Sequence, residues 1–311
     1  MAEKKVLIGS YVMQKPAVLE KFLQSIAGLA RDGLLIEYVF VDGHVEESIP
    51  LRQFASAHPG TEIIRPGEAG RPVKNALPWR EDLIWRAAEC KDSLIRLALE
   101  KNSDFLFLAD SYLLHHPATL VHLARLGKDI VSEVFWTKPQ QRSIPLPQVW
   151  LEGQYGLFHA GQEKRLSGEE KQKLARDFIR VLQTPGLHKV GGLGGCTLIS
   201  RKACHAGVSF SRIESVDMAD EDLHFSIRAA SLGFDLYADT NYPPLNIHAE
   251  SALCETRPRP VSIEPEQKNR ARLRRKTRKK RTRFNNNSGI RHSRECAQMH
   301  SEHKTAYASR T

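Results

Sequence analysis

The chain has 311 residues, 41% of them hydrophobic and 26% charged, which is ordinary for a soluble globular protein and unlike a disordered or fibrous one. No apolar run approaches the roughly 20 residues of a membrane-spanning helix, and Met1-Ala-Glu-Lys-Lys leads into a strand-like run rather than a signal peptide, so cytoplasm is the expected compartment. The formal charge of +10 belongs to one end: residues 255–311 carry 17 Lys/Arg against 5 Asp/Glu, which leaves residues 1–254 close to neutral at −2.

In chain order, Lys4–Tyr11 reads as a buried strand. Lys15-Pro16 opens a helix whose Val18, Leu19, Phe22, Leu23, Ile26 and Leu29 recur at helical spacing, and Gly33 ends it. Leu35–Asp42 is a second strand that finishes in a carboxylate; a helix over Leu51–His58 and a strand over Thr61–Ile64 follow. This β-α-β-α-β order predicts a parallel sheet with right-handed crossovers, as in nucleotide-binding folds. A Gly/Pro-rich loop, Pro66–Pro78, precedes a long helix over Glu81–Lys101 with an apolar stripe through Leu83, Ala87, Leu94 and Ala98. That helix feeds Phe105-Leu-Phe-Leu-Ala109, an apolar run that stops at Asp110.

A helix is expected from Thr119 to Leu126 and a strand over Asp129–Trp136, then a loop over Thr137–Pro147. The amphipathic segment Ser167–Leu182 reads as a helix with Glu169 and Glu170 near its positive end. Val190–Ile199 is a glycine-rich turn feeding a strand, Glu221–Leu232 a helix stopped by Gly233, and Asp235–Asp239 with Leu245–His248 a final strand pair. The five cysteines, Cys90, Cys196, Cys204, Cys254 and Cys296, are odd in number and lack a Cys-x-x-Cys pair, which argues for free thiols.

Three places carry residues suited to chemistry. Asp42 and Asp110 end neighbouring parallel strands, with Ser10 and Tyr11 ending the first, at the rim where open α/β sheets bind ligands; strand-end aspartates also simply cap turns. Asp220-Glu221-Asp222 opens a helix. The helix dipole favours acids there, and crowding raises at least one pKa, as suits a general base. His248 follows a strand and is a candidate metal ligand or an ordinary exposed histidine. Gly194 and Gly195 sit in a run that is not a Walker loop and that lets a ligand approach the backbone.

The order and spacing of Val6-Leu-Ile-Gly-Ser-Tyr11, Val39-Phe-Val-Asp42, Phe105–Tyr112, Glu221-Asp222 and Ile247-His248 resemble the GT-A glycosyltransferases, most nearly inverting family-2-like enzymes, over about Lys5–His248. The resemblance implies an α/β fold of GT-A type with a mostly parallel central sheet flanked by helices. It implies a glycosyltransferase domain over 1–254, whose nucleotide-sugar half is about 1–135 and whose acceptor half is 136–254, followed by a basic disordered segment, 255–311. It implies a nucleoside-diphosphate sugar bound by Ser10, Tyr11, Asp42, Lys91, Asp92, Asp110 and Ser111, with Asp222 as catalytic base and Glu221 as its supporting acid. A divalent cation, Mn²⁺ or Mg²⁺, would rest on Asp110 and His248. The acceptor, a glycan, protein or small molecule, would meet Trp136, Gly194, Gly195 and Asp220.

One departure stands out: the family's Asp-x-Asp reads Asp110-Ser111-Tyr112, and the second carboxylate is absent. An inactive nucleotide-binding GT-A relative is therefore a competing expectation. Binding of the basic segment to nucleic acid or to an anionic membrane surface, with peripheral membrane association, is another.

Overall fold

The computed structural model describes residues 3–65, 79–137, 146–150 and 168–247. The loop expected over Pro66–Pro78, most of the Thr137–Pro147 segment, His248 and the basic segment lie outside those residues.

The chain begins with β1 (Lys4–Val12), α1 (Pro16–Ala27), β2 (Leu34–Asp42), α2 (Ile49–Ala57) and β3 (Glu62–Ile64). Pro16 sits in the first turn of α1, where its missing N–H removes no helical bond. After α3 (Trp79–Glu100) come β4 (Phe105–Ala109), the short β5 (Leu113–Leu114), α4 (Thr119–Arg125) and β6 (Ile130–Glu133). Two-residue strands follow at β7 (Trp136–Thr137), β8 (Leu146–Pro147) and β9 (Val149–Trp150), then α5 (Gly168–Leu182). The remainder is β10 (Leu187–Val190), β11 (Gly192–Leu193), β12 (Cys196–Ser200), α6 (Arg201–His205), α7 (Glu221–Ser231), β13 (Leu236–Asp239) and β14 (Leu245–Asn246).

Eight strands form one sheet in the order β10-β13-β6-β12-β4-β1-β2-β3. β1 pairs in parallel with both β2 and β4, β2 with β3, and β6 with β13, whereas β12 runs antiparallel between β4 and β6, as β10 does beside β13. The sheet is therefore mixed but mostly parallel. The carboxyl ends of β1, β2, β4, β6 and β13 share one rim with the start of β12. The sequence reading of a final strand pair needs correction: β13 joins the main sheet, while β14 pairs with β5, so the two do not pair with each other. The strand expected over Asp129–Trp136 stops at Glu133, and Trp136 starts β7, which pairs with β8 in what was read as loop.

Side chains alternate across the central strands and build two cores. Val6, Ile8, Phe105 and Phe107 face α1 and α4 on one side, with Phe22 and Leu120; Leu7, Leu106 and Leu108 face α3 and α7 on the other, with Leu94, Ala98 and Phe225. Burial on both faces explains why these strands read as unbroken apolar runs. Gly9 in β1 brings α3 close: a Cβ there would stand 3.0 Å from both Leu94 methyls. Cys90, Cys196 and Cys204 are buried free thiols. No helix among the described residues is long and apolar enough to cross a membrane.

Because Leu94 is fully buried at this contact, Leu94→Ala is expected to cost about 2–5 kcal/mol of stability. Urea unfolding of the two proteins measures it; a loss below about 1 kcal/mol would mean that α3 does not rest on Gly9 as described.

Candidate active site

The site is built where α3, α7 and the strand rim meet. Asp220 caps α7, its Oδ1 accepting from the Leu223 N–H at 3.0 Å, which sets Glu221 and Asp222 in the first turn. His224, fully buried, accepts from the Ile213 N–H at 2.8 Å through Nδ1 and reaches the Met218 carbonyl through Nε2, fixing the loop that leads into the helix. From α3, the Lys91 ammonium donates to Asp222 Oδ1 at 2.7 Å and to Glu221 Oε1 at 3.1 Å, and lies 5.0 Å from the centre of the Phe210 ring. Its side chain is only 8% exposed.

The electrostatics follow from one buried cation among several acids. Burial alone would lower the Lys91 pKa; the charges of Asp222, Glu221 and Asp110 override it and hold the ammonium well above its usual range. Burial also raises the Asp222 carboxyl well above the usual carboxylate range. Lys91 opposes that shift, while Glu221, Asp110 and Asp220 add to it. One fifth of the Asp222 side chain remains exposed, so a hydroxyl can still reach it. Asp220 is raised chiefly by burial and lowered in part by its bond from Leu223.

Asp110 completes the group. Its N–H donates to the Gly195 carbonyl at 2.8 Å, tying the end of β4 to the turn before β12. Tyr112, standing at the second position of the Asp-x-Asp pattern, donates its hydroxyl to Asp110 Oδ2 at 2.6 Å. Gly195 has φ +73°, and a Cβ there would come within 2.5 Å of the Phe135 ring and 3.2 Å of Asp110 Oδ2; a Cβ at Gly194 would overlap Asp222 Oδ2. These two glycines therefore let the carboxylates of Asp110 and Asp222 pack on the turn. Ser111 donates to the Tyr11 carbonyl at 3.0 Å. Ser10 is buried, and its hydroxyl has no hydrogen-bond partner among the described residues.

Other expected residues fall elsewhere. Asp42 is fully buried and occupied with its own loop: it accepts from the His44 N–H at 3.1 Å and the Ser48 N–H at 3.3 Å, with the His44 ring at 2.6 Å and Arg65 at 3.7 Å. That loop borders a cleft of about 480 Å³ lined by Gln14, His44, Glu46, Ser48 and Gln53. Tyr11 turns toward Met13, donating to its sulfur at 2.7 Å, and burial pushes its phenol up to about 12. Asp92 accepts from the Phe210 N–H at 2.6 Å and the Ser211 hydroxyl at 2.5 Å. Trp136 is half-buried in β7 and packs on the α3-side core. The described chain closes at Ile247, whose N–H donates to the Tyr112 carbonyl at 2.9 Å.

Among the described residues Asp110 joins no trio of metal-ligating side chains; the one such trio is His122, Glu133 and Asp239. The residues around Asp110 thus do not by themselves fit a tightly held divalent cation, which wants more oxygen ligands. Sequence reasoning passed over this trio, although Glu133 and Asp239 both end apolar strands as Asp42 and Asp110 do.

No protein-family model matches the chain, and no curated protein matches its sequence. Among solved structures, the mannosyltransferase PcManGT from Pyrobaculum calidifontis, in complex with GDP-Man and Mn²⁺, aligns with a TM-score of 0.50 at 16% identity, over 80% of this chain and 58% of that one. S. aureus TarS aligns with a TM-score of 0.45 at 13% identity, over 78% of this chain and 36% of that one. The chain thus spans less than two thirds of the length of either. The fold is a GT-A-like glycosyltransferase fold, a large mixed sheet flanked by helices.

Gly194→Ala is expected to destabilise the protein by about 1–3 kcal/mol, because its methyl displaces the Asp222 carboxylate from its place on the turn and from Lys91. Gly28→Ala, at ordinary φ with its nearest contact at 3.4 Å, should change stability by less than about 1 kcal/mol. Equal effects of the two in urea unfolding would contradict the packing of Asp222 on the turn.

Proposed function

We propose that the chain is an inverting glycosyltransferase that moves a sugar from a nucleoside-diphosphate sugar to an acceptor hydroxyl in a single displacement. The observation that carries this reading is the gathering of Asp222, Lys91 and Asp110 at the carboxyl rim of a GT-A-like sheet. The neighbouring mannosyltransferase, solved with GDP-Man and Mn²⁺, supports a nucleotide sugar as the donor.

In this reading Asp222 takes the proton of the acceptor hydroxyl, whose oxygen attacks the anomeric carbon from the face opposite the diphosphate. The bond from that carbon to the phosphate oxygen breaks, and the diphosphate leaves with the electron pair. Lys91 lowers the Asp222 pKa against the effect of burial, which favours the ionised form that acts as a base. Glu221 holds the other side of the ammonium. The Ser10 hydroxyl, with Ser111 and Tyr11 beside it, is a donor group for the nucleotide, and the cleft by the Asp42 loop has room for a nucleoside. Asp42 then acts by holding that loop, and Asp92 by holding the segment at Phe210 that stacks under Lys91. The acceptor lies over Gly194, Gly195 and Trp136 beside Asp220. If a divalent cation, Mn²⁺ or Mg²⁺, serves the reaction, Asp110 and His248 are the protein residues that would hold it, and its charge would offset that of the diphosphate.

A second reading, a nucleotide-binding protein without turnover, is favoured by one observation. Tyr112 occupies the second acid's position and donates to Asp110. In either reading the domain is cytoplasmic, and the basic segment 255–311 is available to phosphates on a membrane surface or nucleic acid.

A panel of nucleotide sugars assayed for transfer and hydrolysis, with and without Mn²⁺ or Mg²⁺, separates the two. Turnover is expected, and Asp222→Asn should lower kcat by about 10²–10⁴-fold while leaving donor Kd within a few-fold. Donor binding with no turnover supports the second reading, and full activity in Asp222→Asn removes the base assignment. Lys91→Met takes away the charge that lowers the Asp222 pKa, so the rise of activity with pH should move to higher pH; an unmoved or downward-shifted limb contradicts the role given to Lys91.

A further inference from the structure

A second cluster sits two strands along the same rim from Asp110, roughly 10 Å away by strand spacing, and the transfer reaction has no use for it. Glu133 ends β6 and Asp239 ends β13; the two are register partners on neighbouring parallel strands, so their side chains leave the same face of the sheet. Both are fully buried. His122, from α4, brings Nε2 to 3.1 Å from Asp239 Oδ1, and one ligand atom from each of the three lies within 4.8 Å of the others.

Partners other than these three hold the carboxylates in place without neutralising them. Asn241 donates to Asp239 through its backbone N–H at 2.8 Å and through its side-chain amide at 3.0 Å to each oxygen, and the Tyr242 N–H donates to Glu133 Oε2 at 3.2 Å. Among the described residues no Lys or Arg pairs with either acid. The remaining oxygen, Glu133 Oε1, is buried and has no hydrogen-bond partner. Two water-excluded carboxylates side by side with only a half-buried imidazole are costly unless something positive lies between them.

We propose that His122, Glu133 and Asp239 form a structural site for a divalent transition-metal ion, separate from the donor site. One imidazole nitrogen and two carboxylates suit Zn²⁺, Mn²⁺ or Co²⁺ better than Ca²⁺, which prefers six to eight oxygens. Asn241 supplies the outer hydrogen bonds that orient a ligating carboxylate. The ion would cross-link α4, β6 and β13, joining two neighbouring interior strands of the sheet to that helix.

The test uses the full chain, freed of metal by a chelator, with Zn²⁺ and then Co²⁺ titrated alone, without nucleotide. One equivalent is expected to bind and to raise the midpoint of thermal unfolding. Co²⁺ should give visible d–d absorption without a thiolate charge-transfer band, which sets this site apart from the cysteines. Glu133→Gln and Asp239→Asn should each abolish that equivalent, and Asp110→Asn should keep it. If either buried variant fails to fold by circular dichroism, His122→Asn, at the partly exposed ligand, decides, with an expected loss of at least tenfold in affinity. Absence of a stoichiometric equivalent overturns the proposal and leaves a proton shared by the two acids. Binding lost in Asp110→Asn but kept in Glu133→Gln overturns it too, assigning the ion to the donor site.

Discussion

The arrangement depends on one buried ammonium. Lys91 is inaccessible along most of its length, and its charge is met by Asp222 and Glu221 from a helix 130 residues further along the chain. Removing either side of such a pair leaves an uncompensated charge, at about 3–5 kcal/mol. That makes α3 and α7 a unit even though the chain between them runs through β4, α4, β6 and β12. Gly9 matters for the same reason: α3 rests directly on β1 at Leu94, one turn from Lys91. The depth of the strand and the position of the ammonium are thus coupled.

Where the ammonium sits decides what the rim can do. Asp110 is close enough to bias both Lys91 and Asp222, so an anion or a cation brought to Asp110 shifts the proton affinity of Asp222. Tyr112 adds a hydrogen bond to Asp110 where the resemblance leads one to expect a second negative charge. Compared with a site of two carboxylates, this one holds less negative charge for a metal and keeps its remaining carboxylate oriented. The glycines at 194 and 195 complete the geometry by removing the side chains that would stand between Asp222, Asp110 and the Phe135 ring.

Much of this was legible in the sequence, for a definite reason. β1, β2 and β4 are buried on both faces, so each reads as an apolar run, and each run ends where the chain reaches the rim. That pattern pointed to Ser10, Asp42 and Asp110, and the acid triplet at a helix start pointed to Asp222. The local pattern does not reveal which strands are neighbours. β12 slots antiparallel between β4 and β6 because of contacts 65 to 95 residues apart in sequence, and β14 finds β5 rather than β13. Nor does spacing tell which way an end-of-strand acid is used. Asp42 is occupied by the loop it caps, while Asp110 faces Asp222, and in sequence the two look alike. Asp239 shows the same signal, whereas Glu133 stands inside an apolar run that continues to Trp136 and ends its strand only in the fold, where β6 and β13, distant in sequence, become partners.

The most direct measurement is a crystal structure of the chain with a bound nucleoside diphosphate. The account predicts the diphosphate at the carboxyl rim between Ser10 and Asp110, with the nucleoside toward the cleft at His44 and the Lys91–Asp222 pair intact beside it. A nucleotide bound on any other face of the sheet, or seated only after Lys91 has left Asp222, would contradict it.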